Sequence, residues 1–196
     1  GGGLHHAMTC GGRGFCAVND IVVAARWAQK TRHLKQIWII DVDAHKGDGT
    51  AQMTQDDEGI TTLSIHMANG WPLDQEPCDA EGNLHPWYIP SDLDIPIEEG
   101  QESQYLEQLQ GGLGTLLARY PKPDLAIVVQ GSAPCDIDEL PSSAPLQLTL
   151  AQMLERDQMV FSFLSENEIP QAYLMSGGYG KQAHRVYCQF FDDLLG

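Results

Sequence analysis

Apolar residues fall along this chain in short unbroken runs, each followed by a stretch whose apolar positions recur at helical spacing. The runs "QIWIIDV" (36–42), "ITTLSIH" (60–66), "DLAIVVQ" (124–130) and "QAYLMS" (171–176) have the length of strands. They are apolar continuously rather than alternately, as in strands covered on both faces of a parallel sheet. Helical periodicity fits 19–30, 48–56, 101–119, 148–166 and 180–195. Strand-then-helix repetition predicts an α/β fold of three layers, αβα, around a mainly parallel sheet. Residues 67–92 interrupt the alternation. "GWPLDQEPCDAEGNLHPW" reads as a long surface loop, of the kind that often carries function.

The first of these runs ends in charge. In "IIDVDAHKGDGT" (39–50), Asp41, Asp43 and His45 alternate with Val42 and Ala44, and Asp48 follows Gly47. Burying two unpaired carboxylates is costly unless something cationic lies beside them. Sites in open parallel sheets lie beyond the carboxyl ends of the strands, and in extended backbone these three side chains point to one side. Asp43 and His45 could then share one metal ion with Asp41 held nearby. Mixed carboxylate and imidazole ligands suit zinc, with iron(II) as a competitor. Asp48 by itself reads equally well as a cap for the helix after Gly47.

Composition narrows the setting. The 196 residues suffice for one domain with a sizeable core, so residues 1–196 are read as a single domain. With 27 acidic and 11 basic residues the net charge is −16, which disfavours direct nucleic-acid binding. No run is long and apolar enough for a membrane span, and no basic-then-apolar leader is read. Cys10, Cys16, Cys78, Cys135 and Cys188 contain no CxxC pair, so reduced thiols and a cytoplasmic setting are expected, with a nuclear one also allowed. The opening "GGGLHHAMTCGGRGFC" places a glycine cluster and a histidine pair on a loop with no strand before it to deliver them. The expectation is a chain lacking its N-terminal portion.

Several separated motifs, taken in order, resemble the zinc-dependent histone deacetylase family, which includes acetoin-utilisation proteins and acetylpolyamine amidohydrolases. They are "GLHHA", "GFC", "DVDAHKGDGT", "LSIH", "DELPSSAPLQLT" and "SGGYG". The resemblance implies an arginase-like α/β domain that hydrolyses acetyl-lysine or acetylated polyamines; a homo-oligomer is also admitted. It assigns zinc ligation to Asp43 and His45 and the tandem histidines beside the metal-bound water to His5 and His6. Asp41 and Asp48 become the carboxylates behind those two imidazoles, and Tyr179 the donor to the substrate carbonyl. Gly14, Phe15, Trp71 and Gly177 fall where the family lines its narrow acyl-lysine channel. A structural potassium or sodium ion is implied at Asp41, Asp43, His45, Ser64 and Ile65. His66 is read as structural, and His33, His85 and His184 as surface residues.

One departure bears on all of this. The family pattern carries a third metal-ligand aspartate after a strand, but this chain reads "QGSAPCDIDELPSS", with Ala133 at that position. Asp136 lies three residues on and reaches the metal only if the loop reorganises. Ser176 stands where the family commonly has glycine. Loss of one of three protein ligands weakens zinc, so two readings remain: a metal-dependent deacylase impaired at Ala133, and a non-catalytic descendant that keeps the fold and a binding surface.

Overall fold

A computed structural model describes residues 2–75, 78–85 and 87–196. Five strands, β1 (Ile37–Asp41), β2 (Ile60–Met67), β3 (Leu93–Ile97), β4 (Leu125–Val129) and β5 (Gln171–Leu174), form one sheet in the order β3-β2-β1-β4-β5. Every pairing is parallel. Five α-helices accompany them: α1 (Asp20–Arg32), α2 (Asp48–Thr54), α3 (Tyr105–Arg119), α4 (Leu150–Glu166) and α5 (His184–Leu195).

The side chains of β1 alternate between two cores, as extended backbone requires. Ile37 and Ile39 join Ile60, Ile127 and Val129 under Ile21, Ala25 and Ala28 of α1. Trp38 and Ile40 face the opposite way, with Leu63, Ile65 and Val128, onto α3, α4 and α5 through Leu109, Leu113, Met153, Val160 and Val186. The three-layer arrangement follows from those two apolar faces.

The expected elements are present, with shifted ends. The strand read at 171–176 stops at Leu174, and the helix read at 180–195 starts at His184. The helix read over 101–119 begins with a 3-10 turn at Glu102–Gln104 before α3. Strand β3 was not read, because Asp94 and Pro96 break its apolar run. Among the described residues it pairs only with β2, and an edge strand tolerates a proline that cannot donate to a ladder. Asn19 caps α1 by accepting from Val22 N, and Thr149 and Gln152 form a reciprocal capping box on α4. Asp48 is the first residue of α2 rather than its cap, which is Gly47.

Candidate active site

The loops after β1, β4 and β5 converge at the carboxyl edge of the sheet, and the N-terminal glycine loop folds over them. Ser176 clamps that loop: its N–H donates to Gly2 O at 2.9 Å and its hydroxyl lies 2.9 Å from Gly3 O and 3.2 Å from Asp43 Oδ2. Ser176 adopts φ +55, where L-residues are strained, so its two-sided clamp holds an unfavourable backbone in place.

His5 and His6 are both buried. His5 Nδ1 lies 2.6 Å from Asp41 Oδ2, and His6 Nδ1 lies 2.7 Å from Asp48 Oδ1. Two adjacent imidazoles therefore each have a carboxylate behind them, with Nε2 on the far side of each ring. Their charge states diverge. Burial disfavours the imidazolium of His5, but the Asp41 and Asp43 carboxylates outweigh it and hold His5 up at about 9. Burial and the neighbouring charge of His5 push His6 down to about 4. Burial also raises Asp41.

Asp43 sits at the centre of the converging loops. Its Oδ2 accepts from Gly177 N at 3.1 Å and from Ser176, while Oδ1 accepts from His45 N at 3.1 Å. Burial opposes its ionised form, yet the charge on His5 and the contacts with His45 hold its carboxyl well below the usual range. Gly131, at φ +53, leaves no room for a Cβ, which would collide with Asp43. His45 Nδ1 lies 3.5 Å from Asp43 Oδ1, and His45 Nε2 is 3.1 Å from Ser142 Oγ.

A small cavity of about 70 Å³ lies between His5, His6, Asp43, His45, Gly177 and Tyr179. A wider one of about 360 Å³ leads outward past Gly14, Phe15, Trp71, Leu140 and Ser142. Phe15 and Trp71 both line this wider cavity, each in its own aromatic pairing. Phe15 pairs with Tyr179, ring centroids 5.8 Å apart, while Trp71 leans edge-on onto His6 at 4.4 Å and His45 at 5.7 Å. Trp71 is pressed so closely on Gly14 that a Cβ there would collide with the indole. Burial and the Asp43 charge push the Tyr179 hydroxyl up to about 12, so it remains a donor near neutrality.

The metal reading meets a shortage of donors. Asp43 and His45 face each other at a separation that two ligands of one ion could bridge. Ala133 is 1% exposed and packs in the apolar core with Ala44 and Cys135. Asp136 is exposed, its Oδ1 accepting from the Cys135 thiol at 3.7 Å, so it supplies no ligand in this arrangement of the loop. Among the described residues no group of three His, Cys, Asp or Glu side chains could hold a metal ion. The residues present thus do not fit a zinc ion held by three protein ligands. At the expected monovalent-cation position, Asp41 Oδ1 accepts from Asp43 N at 3.1 Å, and the Ser64 hydroxyl is engaged by His66 Nδ1 at 2.9 Å. Ile65 is buried in β2.

His66 is fully buried, and burial with the Lys46 charge lowers it to about 3. His33 and His184 are exposed and His85 is partly so. All five cysteines are unpaired. Sequence reading missed four supporting residues. Asp138 accepts from Tyr179 N at 2.6 Å and from Leu140 N at 2.9 Å, tying the tyrosine to the opposite channel wall. Arg156, inside the core beside Asp157, donates to Val42 O at 3.1 Å and Gly131 O at 2.9 Å. Ser142 meets His45, and Arg13 meets Asp48 at 3.0 Å. Arg156 stands between Glu155 and Asp157 in α4, so no local signal marked it as buried, and the other three lie in loops whose folding no local pattern reveals.

Parallel-sheet architecture with paired imidazoles and carboxylates at the strand ends defines an α/β protein whose polar site lies at the carboxyl edge of its sheet. The chain belongs to the histone deacetylase domain family, whose model matches residues 1–193. It is 34% identical over 184 residues to an uncharacterized protein of Picosynechococcus, covering 93% of this chain and 56% of that protein. It is 30% identical over 195 residues to histone deacetylase 2 of Arabidopsis thaliana, covering 99% and 47% respectively. The chain spans about half the length of these curated relatives. In fold it is similar to the crystal structure of a histone deacetylase homolog from Aquifex aeolicus, with TM-score 0.81 and 24% identity, over 98% of this chain and 50% of that one. No helix among the described residues is long and apolar enough to cross a membrane.

Proposed function

We propose that this chain carries the acyl-amide site of a deacetylase, with its proton-handling residues retained and its hydrolysis impaired at Ala133. The observation that carries this reading is the pair of buried contacts His5–Asp41 and His6–Asp48 beside one cavity with Tyr179. Deacetylation of a lysine or polyamine amide requires a proton to leave water and another to reach the departing amine. His6, neutral near pH 7, is the group suited to both transfers. His5, kept charged by Asp41 and Asp43, supplies electrostatic support. Tyr179 donates where the oxyanion develops. The implied cofactor is zinc, or iron(II), which Asp43 and His45 would hold with the third ligand position vacated by Ala133. A potassium or sodium ion near Asp41, Ser64 and Ile65 belongs to the same reading.

The substrate is an acetylated amine on an unbranched chain. One solved structure of similar fold is an acetylpolyamine aminohydrolase from Burkholderia pseudomallei, with TM-score 0.76 and 20% identity. Another is a deacetylase homolog complexed with SAHA. Acetyl-lysine peptides and acetylated polyamines are therefore both carried as substrates. The buried position of Ala133 favours a second reading, a non-catalytic acyl-lysine-binding protein.

An acetyl-lysine fluorogenic assay tests the proposal on the unmodified chain, on Ala133→Asp and on Ala133→Asp with Tyr179→Phe. Little turnover is expected from the first, a gain from the second, and a loss of about 100-fold from the third relative to the second. Robust turnover by the unmodified chain sinks the impaired-site reading. Inactivity of Ala133→Asp in a chain as long as the relatives favours the binding reading.

A further inference from the structure

His6 is contacted from two directions, and both contacts lead to Arg13. Behind the ring, Asp48 Oδ1 lies 2.7 Å from His6 Nδ1, and the Arg13 guanidinium lies 3.0 Å from Asp48 Oδ2. Separately, Trp71 meets the His6 ring at 4.4 Å, and the Arg13 guanidinium lies 5.4 Å from the Trp71 ring centroid. Apart from this ion pair, Asp48 Oδ2 has no hydrogen-bond partner among the described residues. Asp48 Oδ1 also accepts from Gly49 N at 3.0 Å, so Arg13 is what holds the other oxygen and with it the tilt of the carboxylate.

Arg13 is itself held by a tight turn. Its N–H donates to Cys16 O at 2.9 Å and its carbonyl accepts from Cys16 N at 2.8 Å. The two residues between, Gly14 and Phe15, both have positive φ, +52 and +63. This is the mirror-image type of tight turn, and the strained Phe15 commits its backbone to that one geometry. The Arg13 side chain is 39% exposed, so much of its stem is covered, and its planar fork suits a carboxylate edge and an aromatic face together.

We propose that Arg13 is a positioning residue which holds both Asp48 and Trp71 against His6, so that His6 carries its proton on Nδ1 and turns Nε2 toward the cavity. The neighbouring pair lacks this device: Asp41 takes its second contact from the backbone N–H of Asp43 rather than from a cation. His5 therefore serves as an internal control. The proposal rests on His6 being the proton-transfer group of the proposed function, but its test needs neither substrate nor turnover.

The test is nuclear magnetic resonance of the histidine side chains in the 15N-labelled full chain at one fixed neutral pH, with His6→Gln to assign the signals. In the unmodified chain His6 should show a slowly exchanging, downfield Nδ1–H proton and well-separated nitrogen shifts. Arg13→Ala should lose that proton signal and draw the two His6 nitrogen shifts together, leaving those of His5 unmoved. Arg13→Lys, which keeps charge but not the planar fork, should retain a weakened signal. If Arg13→Ala fails to fold, Arg13→Met, which keeps the apolar stem, should show the same loss. An unchanged His6 pattern in the folded variant overturns the proposal. Equal shifts at His5 and His6 also overturn it, because they mean general loosening of the loop. Failure of Ala133→Asp to hydrolyse acetyl-lysine would count against the proposed function without altering this result.

Discussion

The ends of β1 and β4 lie side by side in the sheet but are furnished differently. Beyond β1, Asp41, Asp43, His45 and Asp48 are all buried and all engaged: by His5, by the Ser176–Gly177 backbone and hydroxyl, by Ser142 and by His6. Beyond β4, the chain passes Gly131, which exists to let Asp43 in, and then puts the methyl of Ala133 into apolar surroundings. One loop keeps every group needed to orient imidazoles, while its neighbour supplies no ligand. On the proposed reading, the carboxylates that orient the imidazoles stand at the β1 end alone, whereas metal holding needs Asp43 and His45 there and a third ligand from the β4 end. The first property can therefore persist without the second.

The sharpest way to break that separation is Ala133→Asp. Without metal it should destabilise the chain by about 3 kcal/mol, since it sets an unpaired carboxylate among apolar neighbours. With zinc it should bind at least about 100-fold more tightly than the unmodified chain and recover the lost stability. Isothermal titration and thermal melts read both effects. A fully stable metal-free variant that ignores zinc would show that Ala133 does not face Asp43 and His45.

Asp138 links the β4 loop to Tyr179, so removing it tests whether that side contributes anything besides backbone. Asp138→Ala should cost about 1–3 kcal/mol in urea denaturation, because it strands the N–H groups of Tyr179 and Leu140. Asp138→Asn, which keeps one acceptor oxygen, should cost less. Equal stability of Asp138→Ala and the parent would make the link incidental.

The titration rests on the buried imidazoles. His6 and His66 are depressed from 6.5 to about 4 and about 3, so the unfolded chain binds protons there before the folded one does. Stability should fall as pH drops below 6.5 through those values. His5 is raised to about 9, so its contribution is complete below 6.5 and is lost as pH rises through about 9. Urea midpoints against pH should therefore decline on both sides of near-neutral pH, and His5→Gln should flatten the alkaline limb. A midpoint still rising at pH 9.5 would contradict the assignment to His5.

The smallest effect is expected at Ser176. Ser176→Gly relieves the strain at φ +55 but surrenders the hydroxyl contact with Asp43 and Gly3. The two should nearly cancel, leaving stability within about 1 kcal/mol. A large loss in thermal melts would mean that the clamp, rather than the backbone, dominates this junction.

Legibility in the sequence followed the range of the interactions. Continuous apolar runs revealed β1, β2, β4 and β5 because strands covered on both faces need them. The extended alternation expected through Asp43 and His45, however, stops at Asp41. These residues meet instead through a bend in which Asp41 Oδ1 accepts from Asp43 N and Asp43 Oδ1 from His45 N. Strand β3 escaped because its edge position tolerates Asp94 and Pro96. The histidine pair and its carboxylates are 36 and 42 residues apart, so only the family resemblance joined them. That resemblance did not yield Arg13, Asp138 or Ser142, which depend on loop paths set by long-range contacts. Nor did it give the aromatic pairings: the tight turn at Gly14 sends Phe15 to Tyr179 and leaves Trp71 on the imidazoles.

The most direct test of separable proton and metal functions is the zinc content of the purified chain. It is to be measured by mass spectrometry after dialysis against metal-free buffer, beside Ala133→Asp loaded with zinc and treated identically. Far less than one zinc per unmodified chain and close to one per Ala133→Asp chain are expected. Equimolar zinc retained by the unmodified chain would contradict this, because a donor other than Ala133 would then complete the site.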